Sequence, residues 1–268
     1  MKKRVLFVAI WITGITGVVR AQPKDSLAAL ARFVHAFDLI RHPPMNIRMT
    51  INHTSDIQFL SGDAFYLEAS VHLRKNSSYA RFGEVEQLAN DSAAIFVSDS
   101  LEQIILLSNQ DRSLNGRLMG MFGMGGNDSS VRMLNTLYRA EGSGSTVKLQ
   151  SRSFLSGTDI IKESAQLDLD PKTELPVQLL VFRRTIVLVD SAQMEELRQQ
   201  HIPAERFVQR GQWLYLVKET QTRFAYLHID QEDKPLPVTF ANRVEKDGEG
   251  QWKPVKAYEA YRLIDRIN

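Results

Sequence analysis

The chain of 268 residues has no cysteine. Disulfides therefore add nothing to its stability, and it cannot carry the lipidated N-terminal Cys of a bacterial lipoprotein. The short motifs that announce common chemistries are missing too. The six histidines, His35, His42, His53, His72, His201 and His228, are scattered, with no HExxH and no close pair on one helical face. A zinc site needs three or four convergent ligands, which this spacing does not offer. No serine sits in a G-x-S-x-G elbow. The run GMGG is not followed by the Lys-Ser or Lys-Thr of a phosphate loop. Asp168 and Asp170, and likewise Asp247 and Glu249, stand beside Pro or Gly without the spacing of a calcium cage, so they read as turn residues. These absences point away from an enzyme and imply no catalytic residue, no metal and no cofactor.

An excess of one charge is also lacking. The chain opens MKKR, continues VLFVAIWITGITGVV and reaches the small-residue site Val19-Arg20-Ala21. That is the charged, apolar and small-residue pattern of a cleavable secretory signal, residues 1–21. The apolar run 5–19 is short of the roughly 20 residues a bilayer span needs, and no later run reaches that length. Removing Lys2, Lys3, Arg4 and Arg20 takes 33 basic residues to 29, against 31 acidic ones. A near-neutral field excludes nucleic acid as the main partner. The expected location is outside the cytoplasm, periplasmic or secreted. No Pro/Ser-rich linker, low-complexity tract or repeat divides residues 22–268, which read as a single domain.

What the sequence does have is strand patterning. KDSLAALARFVHAFDLIRHPP is the clearest helix: Asp25 or Ser26 can cap it, Leu27, Leu30, Val34, Phe37 and Ile40 recur at helical spacing, and His42-Pro43-Pro44 stops it. MNIRMTINHT and FYLEASVHLR follow as strands. In the second, Phe65, Leu67, Ala69, Val71 and Leu73 share one face and Tyr66, Glu68, Ser70, His72 and Arg74 the other. Strict alternation marks an antiparallel sheet. SVRMLNTLYRA and SAQMEELRQQH read as inserted helices. TVKLQSRSF, DIIKESAQLDL, LPVQLLVFRRTIVLV, WLYLVKE, RFAYLHI, LPVTFANRV and WKPVKAYEAYRLID read as further strands, with a hairpin turn in EKDGEGQ. About ten or eleven strands are too many for one small flat sheet. The expected fold is mainly β, a strongly curled antiparallel half-barrel with an N-terminal helix and one or two inserted helices.

Two features exceed what a plain core demands. Leu118, Met119, Met121, Phe122 and Met124 are strung along the glycine-rich LMGMFGMGG. Adaptable thioethers on a pliable backbone suit a lid over a greasy ligand, whereas a loop tucked on the core would use them equally well. The C-terminal strands carry Trp213, Tyr215, Phe224, Tyr226, Phe240, Trp252, Tyr258 and Tyr261. Such aromatics either fill a core or, in an incompletely closed sheet, line a cavity; Trp213, Phe224 and Tyr226 are the candidate lining residues.

Read in order, NIRMTINHT, then FYLEASVHLRKNSSYARF with its basic pair Arg74-Lys75, then IFVSDSLEQIILL with its Val97-Ser98-Asp99 turn, resemble the periplasmic lipoprotein carriers of the LolA/LolB-like family. The resemblance spans roughly residues 25–180, with Asn76 where the family has proline after the basic pair. It implies that YARFGEVEQLANDSAAIFVSDSLEQIILL supplies the third and fourth strands of the half-barrel. It also implies that Arg74 or Lys75 holds the lid, and that lipid or lipoprotein acyl chains are the cargo of an apolar cavity. Residues 181–268 extend beyond this pattern. The alternative is an envelope module on the same curled sheet, its interior filled, that docks another protein.

Overall fold

The computed structural model describes residues 24–108, 128–153 and 158–267. The chain begins with helix α1 (Lys24–Leu39) and continues into a six-strand meander: β1 (Met45–Ser55), β2 (Ala64–Leu73), β3 (Ser77–Phe82), β4 (Val85–Asn90), β5 (Ala93–Ser98) and β6 (Gln103–Ser108). Helix α2 (Asp128–Leu137) leads into β7 (Tyr138–Ser143), β8 (Thr146–Ser151), β9 (Ile160–Leu169) and β10 (Pro176–Leu188). Helix α3 (Ser191–Gln199) precedes β11 (Phe207–Arg210) and β12 (Trp213–Asp230). The C-terminal segment adds β13 (Val244–Lys246), β14 (Trp252–Pro254) and β15 (Arg262–Arg266).

Among the described residues, 13 strands make one sheet in the order β15, β6, β5, β4, β3, β2, β1, β12, β10, β9, β8, β7, with β11 beside β12. Every pairing in it is antiparallel except β15 on β6. No ladder joins the two ends, so the sheet is open. It is nevertheless curled. One buried cluster joins Leu30, Val34 and Phe37 of α1 with Val147 and Leu149 of β8 and with Ile47, Met49 and Val71 of β1 and β2. From β8 to β1 the sheet advances four strand spacings, about 19 Å. A helix about 10 Å across reaches both sides only if the sheet wraps around it. This is the mainly β half-barrel the strand patterns imply.

The side holding α1 is the inner face. A second core lies on the outer face, and neighbouring residues of β3 divide between the two: Ala80 belongs to the α1 cluster, Tyr79 to the other. Residues after β12 form the cover of the outer core. Leu236, Val238, Phe240, Trp252, Tyr258, Tyr261 and Leu263 pack on Leu88, Ile95, Val97, Ile104 and Leu106 of β4, β5 and β6. Glu86 lies buried at this seam, where Arg243 Nε (2.8 Å) and Nη2 (2.6 Å) and the Tyr79 hydroxyl (3.1 Å) donate to its carboxylate. Burial and the adjoining Glu86 charge push the Tyr79 phenol up to about 12.

Local departures from the sequence patterns have simple causes. The stretch 79–107 spans four strands and not two, because Gly83, at φ 58°, closes a two-residue hairpin between β3 and β4. Tyr138, Arg139 and Ala140, which continue the α2 pattern, instead open β7, where pairing with Ser151, Gln150 and Leu149 satisfies their backbone. WLYLVKE and RFAYLHI belong to one 18-residue strand, β12, since the polar TQT between them is laddered to β10 and β1. LPVTFANRV, expected as a strand, contributes only Val244 to one; Phe240–Asn242 is a 3-10 turn with a Thr239 capping box. Helix α3 has the capping box its sequence allows, with Asp190 accepting from Gln193 N at 2.8 Å.

Candidate functional site

The inner face has two parts with different cover. Under α1 it is filled: Leu30, Ile40, Met45, Ile47 and Met49 are at most 2% exposed. Farther along, on β3 to β6, the cross-strand rows Phe82–Val85 and Gln87–Phe96–Ile105 put apolar side chains on the same face as Ala80. Leu107 lies on this face beside Ala94. Val85 is 43% exposed, while Phe82, Phe96, Ile105 and Leu107 are half-buried. The helix packing of α1 falls on β7, β8 and α2. These strands are therefore mainly apolar on both faces: the outer face meets the C-terminal segment, and the inner face forms a partly open, mainly apolar floor that also holds the buried amide of Gln87. Phe65, on the same face of β2, is 41% exposed and extends that floor.

Polar groups on the rest of the inner face are paired. Tyr138 donates to Glu163 Oε1 and Arg183 bonds Glu163 Oε2, a row from β7 through β9 to β10. Burial, and then the bond to Glu163, raise the Tyr138 phenol far above its ordinary range. His53 Nδ1 and Thr222 Oγ1 lie 2.7 Å apart across β1 and β12, and the His53 ring stacks on Phe65. Burial lowers the pKa of this histidine, and the neighbouring Lys218 charge adds to the effect. Lys218 and Asp63 form a buried ion pair, 7% and 5% exposed at the side chain, with the ammonium also over the Phe59 ring. Burial alone would raise the Asp63 carboxyl; the Lys218 bond and the N–H groups of Phe59 and Leu60 outweigh it and hold it low. Each group has a partner, which suits a fixed scaffold. Among the described residues no three His, Asp or Glu side chains converge as metal ligands.

The candidate residues do not gather at one place. Leu118, Met119, Met121, Phe122 and Met124 lie outside the described residues. Phe224 and Tyr226 share the inner face of β12 and pack, partly buried, against the α1 cluster. Burial raises the Tyr226 phenol well above its ordinary range. Trp213 begins the same strand, 53% exposed, and its odd separation from Phe224 along an unbroken ladder turns it to the outer face. Lys75 is exposed beyond the end of β2. Arg74 is the most connected of the set. Its guanidinium donates to Asn46 Oδ1 (2.7 Å), Met45 O (3.3 Å), Leu73 O (2.7 Å) and Lys234 O (2.5 Å), and pairs with Asp233 at 3.4 Å. It fastens the chain leaving β12 to the ends of β1 and β2. Asn46 and His228 complete that clamp through Asp230, at 2.6 and 2.7 Å. The floor residues Phe82, Val85, Phe96, Ile105 and Leu107 went unmarked by motif reasoning. Their signal was present in AAIFV and IILL, continuous apolar runs of the kind strands show when both faces are apolar.

No family model matches the chain, and no curated protein matches it significantly. Among solved structures, a LolA superfamily protein from Nitrosomonas europaea aligns over 80% of this chain and 96% of its own, with 13% identity and a TM-score of 0.27. A DUF1329 family protein from Desulfovibrio piger aligns over 79% of this chain and 95% of its own, with 9% identity and a TM-score of 0.30. Scores this low carry no argument about fold or function.

Proposed function

We propose that this is an exported carrier or sensor, working without catalysis, that holds an acyl chain of a lipid or lipoprotein against the inner face of β3 to β6. The observation behind the proposal is the two-sided apolarity of those strands. The outer face has its own core, yet Phe82, Val85, Phe96, Ile105 and Leu107 remain partly open on the other side. Each methylene moved from water onto such a surface is worth about 0.8 kcal/mol. A dozen methylenes offset the several kcal/mol lost in immobilising the ligand and leave binding reversible. Removal from the cytoplasm, through residues 1–21, places the protein where such cargo is exchanged between membranes.

A second proposal, a module that docks an envelope protein, draws on the filled core around α1, which leaves no room for cargo under β1, β2 and β8. Native mass spectrometry of the exported protein, followed by organic extraction, separates the two. A copurified acyl species, or uptake of added lipid, is the expected result. A clean apo mass with no uptake refutes the carrier proposal and favours protein docking.

A further inference from the structure

A cavity of about 560 Å³ lies on the outer face, beside the C-terminal segment and on the other side of the sheet from the apolar floor. Its base is a cross-strand row: Arg48 of β1 pairs in register with Ser70 of β2, and Ser70 with Arg81 of β3. With strands about 4.8 Å apart, the two arginines stand on either side of the serine with Cα atoms about 10 Å apart. Both line the cavity, together with Ser70. The size is that of a small-molecule site.

The two guanidinium groups are lightly used. Arg48 is exposed and enters no hydrogen bond or ion pair among the described residues. Arg81 donates to Gly83 O at 3.0 Å, but its carboxylate partners are loose, Glu86 at 3.7 Å and Asp99 at 3.6 Å. Glu86 is held far more closely by Arg243, at 2.6 Å. Glu68 also lines the cavity, so the lining carries two positive charges against one negative. Its apolar side chain is Leu227; Met49 and Ala69 also border it, but their side chains lie in the inner-face core. Leu227 is 61% exposed because the ladder shifts register at Arg48/Met49, which leaves Leu227 as the extra residue of a bulge opposite them. A planar guanidinium fork matches carboxylate and phosphate oxygens, and a hydroxyl midway between two forks donates a further bond.

We propose that this cavity binds an amphiphile by its oxoanion, seated over Ser70 between Arg48 and Arg81, with the apolar body along Leu227. Arg48, the guanidinium that no carboxylate among the described residues pairs, favours a monoanionic head, which a fatty-acid carboxylate and a phospholipid phosphodiester both supply. The site lies on the opposite face from the acyl floor and does not depend on it.

The test is calorimetric titration of the purified exported protein with octanoate, with dioctanoylphosphatidylglycerol below its micellar concentration, and with inorganic phosphate. At least one amphiphile is expected to bind saturably and more tightly than phosphate; whichever binds more tightly identifies the head group. Arg48→Gln and Arg81→Gln are each expected to weaken that binding about tenfold, as loss of a charge-assisted hydrogen bond does. Arg48→Lys, which keeps the charge and loses the fork, is expected to fall between, and melting curves establish that each variant is folded. Lys148→Gln, which removes an exposed cation of β8 that does not line the cavity, is expected to leave this binding unchanged. Saturable binding by none of the three probes overturns the proposal, and so does binding that both Gln variants retain in full or phosphate binding as tight as that of the amphiphiles.

Discussion

Ile104 and Ile105 are adjacent on β6 and point to opposite faces, so one chemical change made at each position separates the roles of those faces. Ile104 is 0% exposed in the outer core, and Ile105 is half-buried on the inner floor. Truncation to alanine removes three carbons, about 2.4 kcal/mol of transfer free energy at a fully buried site, and the cavity left behind takes the cost toward 2–5 kcal/mol. For a domain of this size about 2–4 °C of Tm corresponds to each kcal/mol. Ile104→Ala is therefore expected to lower Tm by about 5–15 °C while leaving acyl binding as it was. Ile105→Ala loses about half the transfer energy and opens no closed cavity, so a cost of about 1 kcal/mol and a fall of only a few degrees are expected. If an acyl chain lies on that floor, the lost contact weakens its binding about tenfold. Thermal melts followed by circular dichroism give the first quantity, and displacement of a fluorescent fatty acid gives the second. Equal losses of Tm in the two variants, or unchanged fatty-acid affinity in Ile105→Ala, would refute the division of the sheet into a sealed outer face and a receptive inner one.

Other expectations concern the buried polar groups. Lys218→Met leaves Asp63 buried without its cation and should cost about 3–5 kcal/mol in urea unfolding, with the double variant Lys218→Met, Asp63→Leu recovering much of it. The Asp63 carboxyl is held below its unfolded value, so its contribution is present above that value, near pH 4, and disappears as pH falls through the folded value; Asp63→Asn should flatten this acid limb of stability against pH. Asp230, held down to about 2, follows the same sign, and Asp230→Asn should remove stability otherwise lost between about pH 4 and pH 2. For Tyr79 the sign is reversed: its pKa is raised to about 12, so stability is full below pH 10 and falls as the pH climbs toward 12, and Tyr79→Phe should move that alkaline loss upward. A flat pH profile in the parent protein would contradict all three.

The sequence by itself determined what local chemistry can determine. Helical spacing from Leu30 to Ile40 and the prolines at 43 and 44 delimited α1. Alternation in 64–73 assigned the faces of β2, and the Asp247 turn joined β13 to β14. These signals survive because each is written within one or two turns of chain. Signals that depend on pairing did not survive. TQT reads as a break between two strands until β10 and β1 take up its hydrogen bonds, and Tyr138 reads as helix until Ser151 stands opposite it. The continuous apolar runs of β5 and β6 announced two greasy faces without saying what would cover either. Burial is non-directional, so a sequence can state how much apolar surface must be covered but not by what. Only the return of residues 231–267 over the outer face decided that, and by sealing one side of β4, β5 and β6 it left Phe96 and Ile105 on the other.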